Sequence, residues 1–297
     1  MSAKLVRAVA TGNFDGVHRG HARIFSVMDE VARKQGLESV VVAYDPHTRH
    51  VLGTPGKPAL LTPGLERQKA VENLGFAFST LPFDRKLSSL PGIDFVREVI
   101  LGQFQAKVWV FGEDHRFGWR GEGRVEDVQR LFPELEIHCV PPVLENAEAI
   151  SSSRVRSALD VGDLPLANRL LGRPYELVGL VVHGEARGRQ IGFPTANLEM
   201  APHKHVPAFG VYAGRVALDG IERVAVVNVG KRPTFEGVTP SIEVHLLGWS
   251  GDLYGKTLQM KLDLFLRGEL RFSSVEELKS QIACDVQRAF SMIQIAH

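Results

Sequence analysis

The chain is poor in cysteine, with only Cys139 and Cys284 in 297 residues. Neither lies in a CxxC pair or a Cys/His cluster, which argues against zinc. Two cysteines also make no disulfide framework for a chain of this length. Neither sign of charge dominates: 35 Lys and Arg against 34 Asp and Glu leave a formal net charge of +1. A chain-wide electrostatic reason to bind nucleic acid or an acidic membrane is therefore missing. No apolar run approaches the roughly 20 residues that span a bilayer, and the first residues lack the apolar core of a signal peptide. Internal repeats and low-complexity tracts are absent too. The expectation is a protein of the reducing cytoplasm with neither a membrane nor a nucleic-acid partner. The oligomeric state is not set by the sequence.

What is there reads as two textures. The first half alternates short β-branched runs, "KLVRAVA" and "ESVVVAYD", with helix-like segments. In "GHARIFSVMDEVARKQG" the apolar residues Ile24, Val27, Met28 and Val31 follow helical spacing, and Gly36 stops it. The same alternation runs on through "GLERQKAVENLG", "FAFSTLPF", "GIDFVREVILGQF", "AKVWVFG", "RVEDVQRLF" and "LEIHCVPP". It predicts a doubly wound α/β domain with a mainly parallel sheet. Two short helices follow, "SSRVRSALDVG" and "DLPLANRLLG". From "YELVGLVVHGE" onward come "GVYAGRVAL", "ERVAVVNVG", "SIEVHLLGW" and "LQMKLDLFL", with no helix between them. These predict an antiparallel barrel or sandwich. The last segment, "SSVEELKSQIACDVQRAFSMIQ", reads as a helix in which Ser273 and Glu276 fit a capping box. The boundary is expected near "LLGRPY", giving domains 1–172 and 173–297.

The segment "TGNFDGVHRGH" leaves the first strand and enters the first helix. In an open α/β sheet, ligands bind at the carboxyl ends of strands. Gly12, Gly16 and Gly20 admit positive φ or close approach of a ligand. His18 and His21 stand where free N–H groups and the helix dipole favour an anion. Imidazoles there can donate to phosphate oxygens, and the H-x-G-H spacing suits a nucleoside triphosphate. The plainer alternative is a glycine-rich loop with solvated histidines. Two look-alikes carry nothing. "GDLYGKT" has three residues rather than four between its glycines, and "GEGRVED" completes no GxGxxG fingerprint.

"GNFDGVHRGH" resembles the opening motif of bacterial bifunctional riboflavin kinase/FMN adenylyltransferases, the FAD synthetases. "YDPHT", "VFGEDHRFG" and "ISSSRVR" are similar to further motifs of their N-terminal module. "RGRQIGFPTAN", "GVYAGRV", "NVGKRPTF", "EVHLL", "DLYGK" and "FLRGELRF" resemble the riboflavin kinase module, in the same order. The resemblance covers nearly the whole chain. It implies an N-terminal Rossmann-like nucleotidyltransferase domain and a C-terminal β-barrel kinase domain with a final helix. It further implies phosphorylation of riboflavin to FMN and adenylylation of FMN to FAD, with ATP as co-substrate and Mg²⁺ as cofactor.

Site residues follow from the resemblance, motif by motif. His18 and His21 would handle the ATP phosphates, with Gly12, Phe14, Asp15 and Gly20 shaping the loop. Ser151, Ser152 and Ser153 would bind phosphate or cap a helix, and Arg156 would reach the leaving pyrophosphate. Asp114 is placed as a ligand-contacting carboxylate, or as a loop cap. Asp45 and His47 also follow a strand end. In the kinase module Thr195 and Asn197 would form the metal and phosphate pair, on a loop fixed by Gly188, Gly192 and Pro194. Glu243 corresponds to the family's base toward the ribityl hydroxyl; period-2 alternation also permits an ordinary outward-facing glutamate. Arg267 would contact phosphate or bridge to Glu269. Two positions depart from the pattern: His115 stands where an aromatic residue is usual, and Thr48 where proline is usual.

Overall fold

The computed structural model describes residues 6–53, 57–184, 188, 191–234 and 237–295. The chain forms two compact units, Met1–Ser152 and Ser153–His297.

The first unit is built on five strands: β1 (Arg7–Gly12), β2 (Glu38–Asp45), β3 (Ala77–Pro82), β4 (Ala106–Gly112) and β5 (Glu136–Val140). All neighbours pair in parallel, in the order β3-β2-β1-β4-β5. The order reverses direction between β1 and β4, and the ends of those two strands define the crevice that such sheets use for ligands. Helix α1 (Arg19–Gln35) follows β1, and α2 (Thr48–Val51) and α3 (Leu65–Glu72) follow β2. Next come α4 (Arg85–Ser88), α5 (Gly92–Phe95) with a π-helical continuation over Val96–Gln103, and α6 (Val125–Leu131). Helix α1 buries Phe25, Met28 and Ala32, one stripe at helical spacing, and ends on Gly36 at φ 65°. It lies on the face of the sheet made by Ala8 and Ala10 of β1, whose small side chains leave room for it, together with Val41, Ala43, Val108 and Val110. Val9, Val40, Val42, Trp109 and Phe111 fill the other face against Phe95, Val96, Val99 and Ile100. Burial on both faces explains why these strands read as continuous apolar runs. A two-strand ribbon, β6 (Leu144–Glu145) and β7 (Glu148–Ala149), precedes α7 (Ser152–Asp160).

The second unit holds α7 beyond Ser152, α8 (Leu164–Leu171) and six strands: β8 (Tyr175–Val182), β9 (Ala196–Met200), β10 (Gly210–Leu218), β11 (Ile221–Thr234), β12 (Gly237–Leu246) and β13 (Thr257–Arg267). They close into a barrel in the order β10-β11-β12-β9-β8-β13, and every pairing is antiparallel. Buried Val227 and Val229, Ile242 and Val244, and Met260 and Leu262 alternate with more exposed residues, one face of each strand filling the interior. Strand β9 was not among the expected runs, because "ANLEM" is too short to show alternation. Helix α9 (Val275–Ile295) lays Ala289 and Ile293 over Val211, Ala213, Val226 and Leu266 on the outer wall. Its start corrects the expected capping box by one residue. Ser274 Oγ accepts from the Glu277 N–H at 3.1 Å, and Glu277 reaches back to the Ser273 N–H at 2.8 Å. Ser274 is therefore the N-cap, because the first helical residue is Val275, and Glu277 closes the turn on Ser273.

Candidate active sites

In the first unit the motif leaves β1 at Gly12 and turns sharply. Phe14, Gly16 and Val17 all have positive φ, at 48°, 84° and 43°. Such backbone persists only where neighbours over-determine it, and here they do. Asp15, 3 % exposed, points into the protein. Its Oδ1 accepts from the Thr62 N–H at 3.0 Å, and the Gly16 N–H donates to Thr62 Oγ1 at 2.8 Å. Ser152 Oγ donates to the Asp15 carbonyl at 2.8 Å, which ties the start of α7 to the loop.

His18 is the N-cap of α1, and its Nδ1 accepts from the His21 N–H at 3.3 Å. A neutral His18 ring bonded in this way carries its proton on Nε2, so Nε2 is its donor. The His18 and His21 rings stack, with centroids 3.6 Å apart and 18° between planes. Gly20 lies beneath them: a Cβ there would be 3.1 Å from both Cε1 and Nδ1 of His18, so that ring would have to give by a few tenths of an ångström. At Gly12 a Cβ would sit 2.9 Å from the Phe14 ring, which would have to shift.

The exits of β2 and β4 flank this loop. Asp114 follows β4 and is exposed. His115, next to it, stacks on Phe111 with centroids 5.1 Å apart, and its Nε2 lies 3.5 Å from Thr11 Oγ1. That hydroxyl also accepts from Trp109 Nε1 at 2.9 Å. Burial pushes the His115 imidazolium down to about 4, so the ring is neutral at physiological pH. Asp45 ends β2 in an ion pair with Arg67 at 2.9 Å. His47, 8 % exposed, caps α2 by accepting from the Arg49 N–H at 3.2 Å. Thr48 uses what a proline lacks: its N–H donates to Asn13 Oδ1 at 3.0 Å, while Asn13 Nδ2 donates to its Oγ1 at 3.0 Å. Ser151 is exposed just before α7. Ser153 and Arg156 lie on α7 in the second unit, where Arg156 donates to Ser153 Oγ at 3.4 Å.

In the barrel, Asn228 of β11, Glu243 of β12 and Asn197 of β9 stand opposite one another in register. Their neighbours Val227, Val229, Ile242, Val244, Ala196 and Leu198 are buried, so this polar row lies on the outer wall. Thr195, two residues before Asn197, donates to Glu243 Oε2 at 3.5 Å. The Asn197 amide lies over Gly184, where a Cβ would come within 2.2 Å of Nδ2. Gly188 is held equally close: its Cβ would lie 2.4 Å from the Phe193 carbonyl and 3.2 Å from Thr195 Oγ1. Gly192 sits at φ 90°, and the Pro194 carbonyl is 2.8 Å from His245 Nδ1. Arg267 pairs with Asp285, a residue the sequence reading did not single out. Its guanidinium takes the Asp285 carboxylate of α9 through Nε at 3.0 Å and a terminal nitrogen at 2.8 Å, beneath Phe272.

Sequence reasoning missed Thr62, Arg67 and Asp285, because each acts across a fold distance with no local pattern. Asn228 carried a signal, as a lone polar residue inside "AVVNVG".

Two family models match the chain: FAD synthetase over residues 2–154 and riboflavin kinase over residues 171–293. The chain is 38% identical to the bifunctional riboflavin kinase/FMN adenylyltransferase of Escherichia coli strain K12 over 278 residues, covering 92% of this chain and 88% of that one. It is 36% identical to the Bacillus subtilis protein of the same description over 287 residues, covering 95% and 90%. A crystal structure described as a macrolide-efflux protein from Streptococcus pneumoniae superposes with a TM-score of 0.86 at 33% identity, covering 96% of this chain and 94% of that one. No helix among the described residues is long and apolar enough to cross a membrane. With both modules matched in order, and full-length relatives sharing over a third of their residues, the chain belongs to the bifunctional riboflavin kinase/FMN adenylyltransferase family.

Proposed function

We propose that FMN adenylylation is carried by the crevice around His18 and His21, and riboflavin phosphorylation by the outer-wall row of Thr195, Asn197, Asn228 and Glu243. The observation that carries this reading is the contact of Thr195 Oγ1 with Glu243 Oε2 at 3.5 Å, beside Asn197 in strand register. It joins a carboxylate able to take a hydroxyl proton to two neutral oxygen donors suited to a phosphate-bound cation. The kinase module is taken to begin at residue 173, after α8.

In the kinase reaction Glu243 accepts the proton of the ribityl hydroxyl as that oxygen attacks the γ-phosphorus of ATP, and ADP leaves. Among the described residues no group of three or more His, Cys, Asp or Glu could cage a metal. The hydroxyl of Thr195 and amide oxygen of Asn197 nevertheless fit Mg²⁺, which keeps waters and phosphate oxygens as most of its ligands. Bound there, Mg²⁺ would neutralise charge on the phosphates. Gly184 and Gly188 let the backbone close around this pair.

In the adenylyl transfer an FMN phosphate oxygen attacks the α-phosphorus of ATP and pyrophosphate leaves. The nucleophile is already an anion, so positioning and charge stabilisation do the work. His18 donates from Nε2 to a phosphate oxygen, and His21 lies stacked beside it. Ser151 and Ser152, the residues of "ISSSRVR" in the same unit, serve the departing pyrophosphate. The substrates are small molecules, and we place the enzyme in the cytoplasm.

The test is to incubate purified protein with riboflavin, ATP and Mg²⁺ and to separate the flavins over time. FMN followed by FAD is expected. Glu243→Gln is expected to abolish FMN formation while FAD still forms from supplied FMN, and His21→Ala to do the reverse. Loss of both activities in either variant, or of neither, would overturn the assignment.

A further inference from the structure

Arg67 belongs to no motif, yet it is among the most buried charged residues of the first unit, at 4 % exposed. It stands on α3 and reaches two strand exits together. One terminal nitrogen donates to the Asn13 carbonyl at 2.9 Å, at the root of the histidine loop. The other donates to Asp45 Oδ1 at 2.9 Å, at the end of β2. The same two exits are joined a second time by the reciprocal Asn13–Thr48 pair, at 3.0 Å in each direction. Five residues before Arg67, Thr62 grips Asp15 and Gly16. A single short segment, 62–67, therefore grips the loop of positive-φ residues at Asn13, where it begins, and at Asp15 and Gly16 within it.

The chemistry of the guanidinium suits this task. It is planar, permanently charged, and presents donors in a rigid fork that spans two acceptors. Its charge is offset by Asp45 and Asp15 nearby, while burial works against it. Its Nε is buried without a hydrogen-bond acceptor among the described residues. Leaving a donor unsatisfied is a cost the fold accepts to keep the two terminal nitrogens aimed at two different loops. Asp45 is thereby engaged as an anchor: its carboxylate holds Arg67.

We propose that Arg67 is a positioning residue for adenylyl transfer, fixing the histidine loop of β1 relative to the β2 exit that carries Asp45, His47 and Thr48. This rests on the assignment of that reaction to the His18–His21 crevice. The reacting groups of an in-line transfer must be held closely, and a displacement of about 1 Å costs on the order of a hundredfold in rate. Arg67 touches neither phosphate nor flavin in this scheme; it acts through Asn13 and Asp45.

The experiment compares Arg67→Ala, Arg67→Lys, Asp45→Asn, the Arg67→Ala/Asp45→Asn double variant and His21→Ala in the full chain, each assayed well below its own unfolding midpoint. FAD formation is followed from supplied FMN and ATP, and FMN formation from riboflavin serves as the folding control in the same molecule. Arg67→Ala is expected to lower kcat for FAD formation by about 10- to 100-fold with KM for ATP changed less than threefold. Arg67→Lys should recover part of that loss. Asp45→Asn should lower kcat in the same direction, and its effect should not add to that of Arg67→Ala. Arg67→Ala within twofold of the parent overturns the proposal, as does full additivity with Asp45→Asn, or a loss confined to KM. If His21→Ala also retains FAD formation, the site assignment itself has failed. If His21→Ala loses it and Arg67→Ala does not, only the positioning role has.

Discussion

Replacing Gly20 by alanine separates stability from chemistry. Gly20 is the second residue of α1, where alanine is the better helix former by about 1 kcal/mol. The new methyl would lie 3.1 Å from Cε1 and Nδ1 of His18, a few tenths of an ångström inside ordinary contact. His18 has little room to give, being 6 % exposed and stacked on His21 at 3.6 Å. The imidazole must tilt, and its capping bond from the His21 N–H, already 3.3 Å long, is the first thing lost. Loss of an N-cap costs about 1 kcal/mol, so the two stability effects nearly cancel. With the phosphate-handling role proposed above for His18, a tilt of a few tenths of an ångström should cost on the order of tenfold in rate. The expected result is an unfolding midpoint close to the parent's by circular dichroism. FAD formation should be about tenfold slower, and FMN formation from riboflavin unchanged. A Gly20→Ala protein that forms FAD within twofold of the parent rate would refute the reasoning.

Thr48→Pro removes an N–H donor and the hydroxyl that receives Asn13 Nδ2, so it should cost about 1–2 kcal/mol in denaturant unfolding. Proline is geometrically acceptable at this first helical position, and Thr48→Val, which keeps the N–H, should lose only part of that. Asp285→Ala strands the Arg267 guanidinium beneath α9 and should destabilise the barrel unit by about 3 kcal/mol, read as an earlier transition in urea while FAD formation from FMN persists. His115 yields a pH signature. Its imidazolium is depressed from the ordinary 6.5 to about 4, so the unfolded chain takes up its proton first as pH falls. The contribution of neutral His115 is fully present above 6.5, declines between 6.5 and about 4, and is gone below, at most about 3 kcal/mol in all. His115→Phe should flatten the fall in unfolding midpoint across that window; equal slopes in the two proteins would dismiss the effect.

Much of the architecture could be read from the chain. The central parallel strands β1, β2 and β4 announced themselves as apolar runs because both of their faces are covered, and the barrel strands did so through alternation. Strand β9 escaped because five residues give too few alternations, and its Pro-Thr lead-in reads equally well as a turn. At the site, His18 and His21 were legible from spacing and placement. The N-cap role of His18 was implicit in the same placement, one residue before the helix. Arg67 and Asp285 were not legible. Each bonds a residue far away in sequence, 54 residues back for Asn13 and 18 back for Arg267. Such a partner becomes visible only when strands are laid side by side. Arg267 shows a partner that motif logic does not supply: its guanidinium takes the carboxylate of Asp285.

The alternation in β12 has a consequence for how accuracy is distributed. Ile242 and Val244 are sunk in the barrel, and Glu243 stands between them on the wall. A slip of one residue in this strand would bring Glu243 inward and push two aliphatic side chains into water. The oil-filled interior thus works as a gauge for the polar exterior. The apolar contacts choose the register, the cost of burying an unpaired carboxylate reinforces that choice, and Glu243 takes its place opposite Asn197 and Asn228. With the role proposed above for Glu243, substitutions that loosen the packing around Ile242 would then blur phosphoryl transfer from the opposite side of the wall.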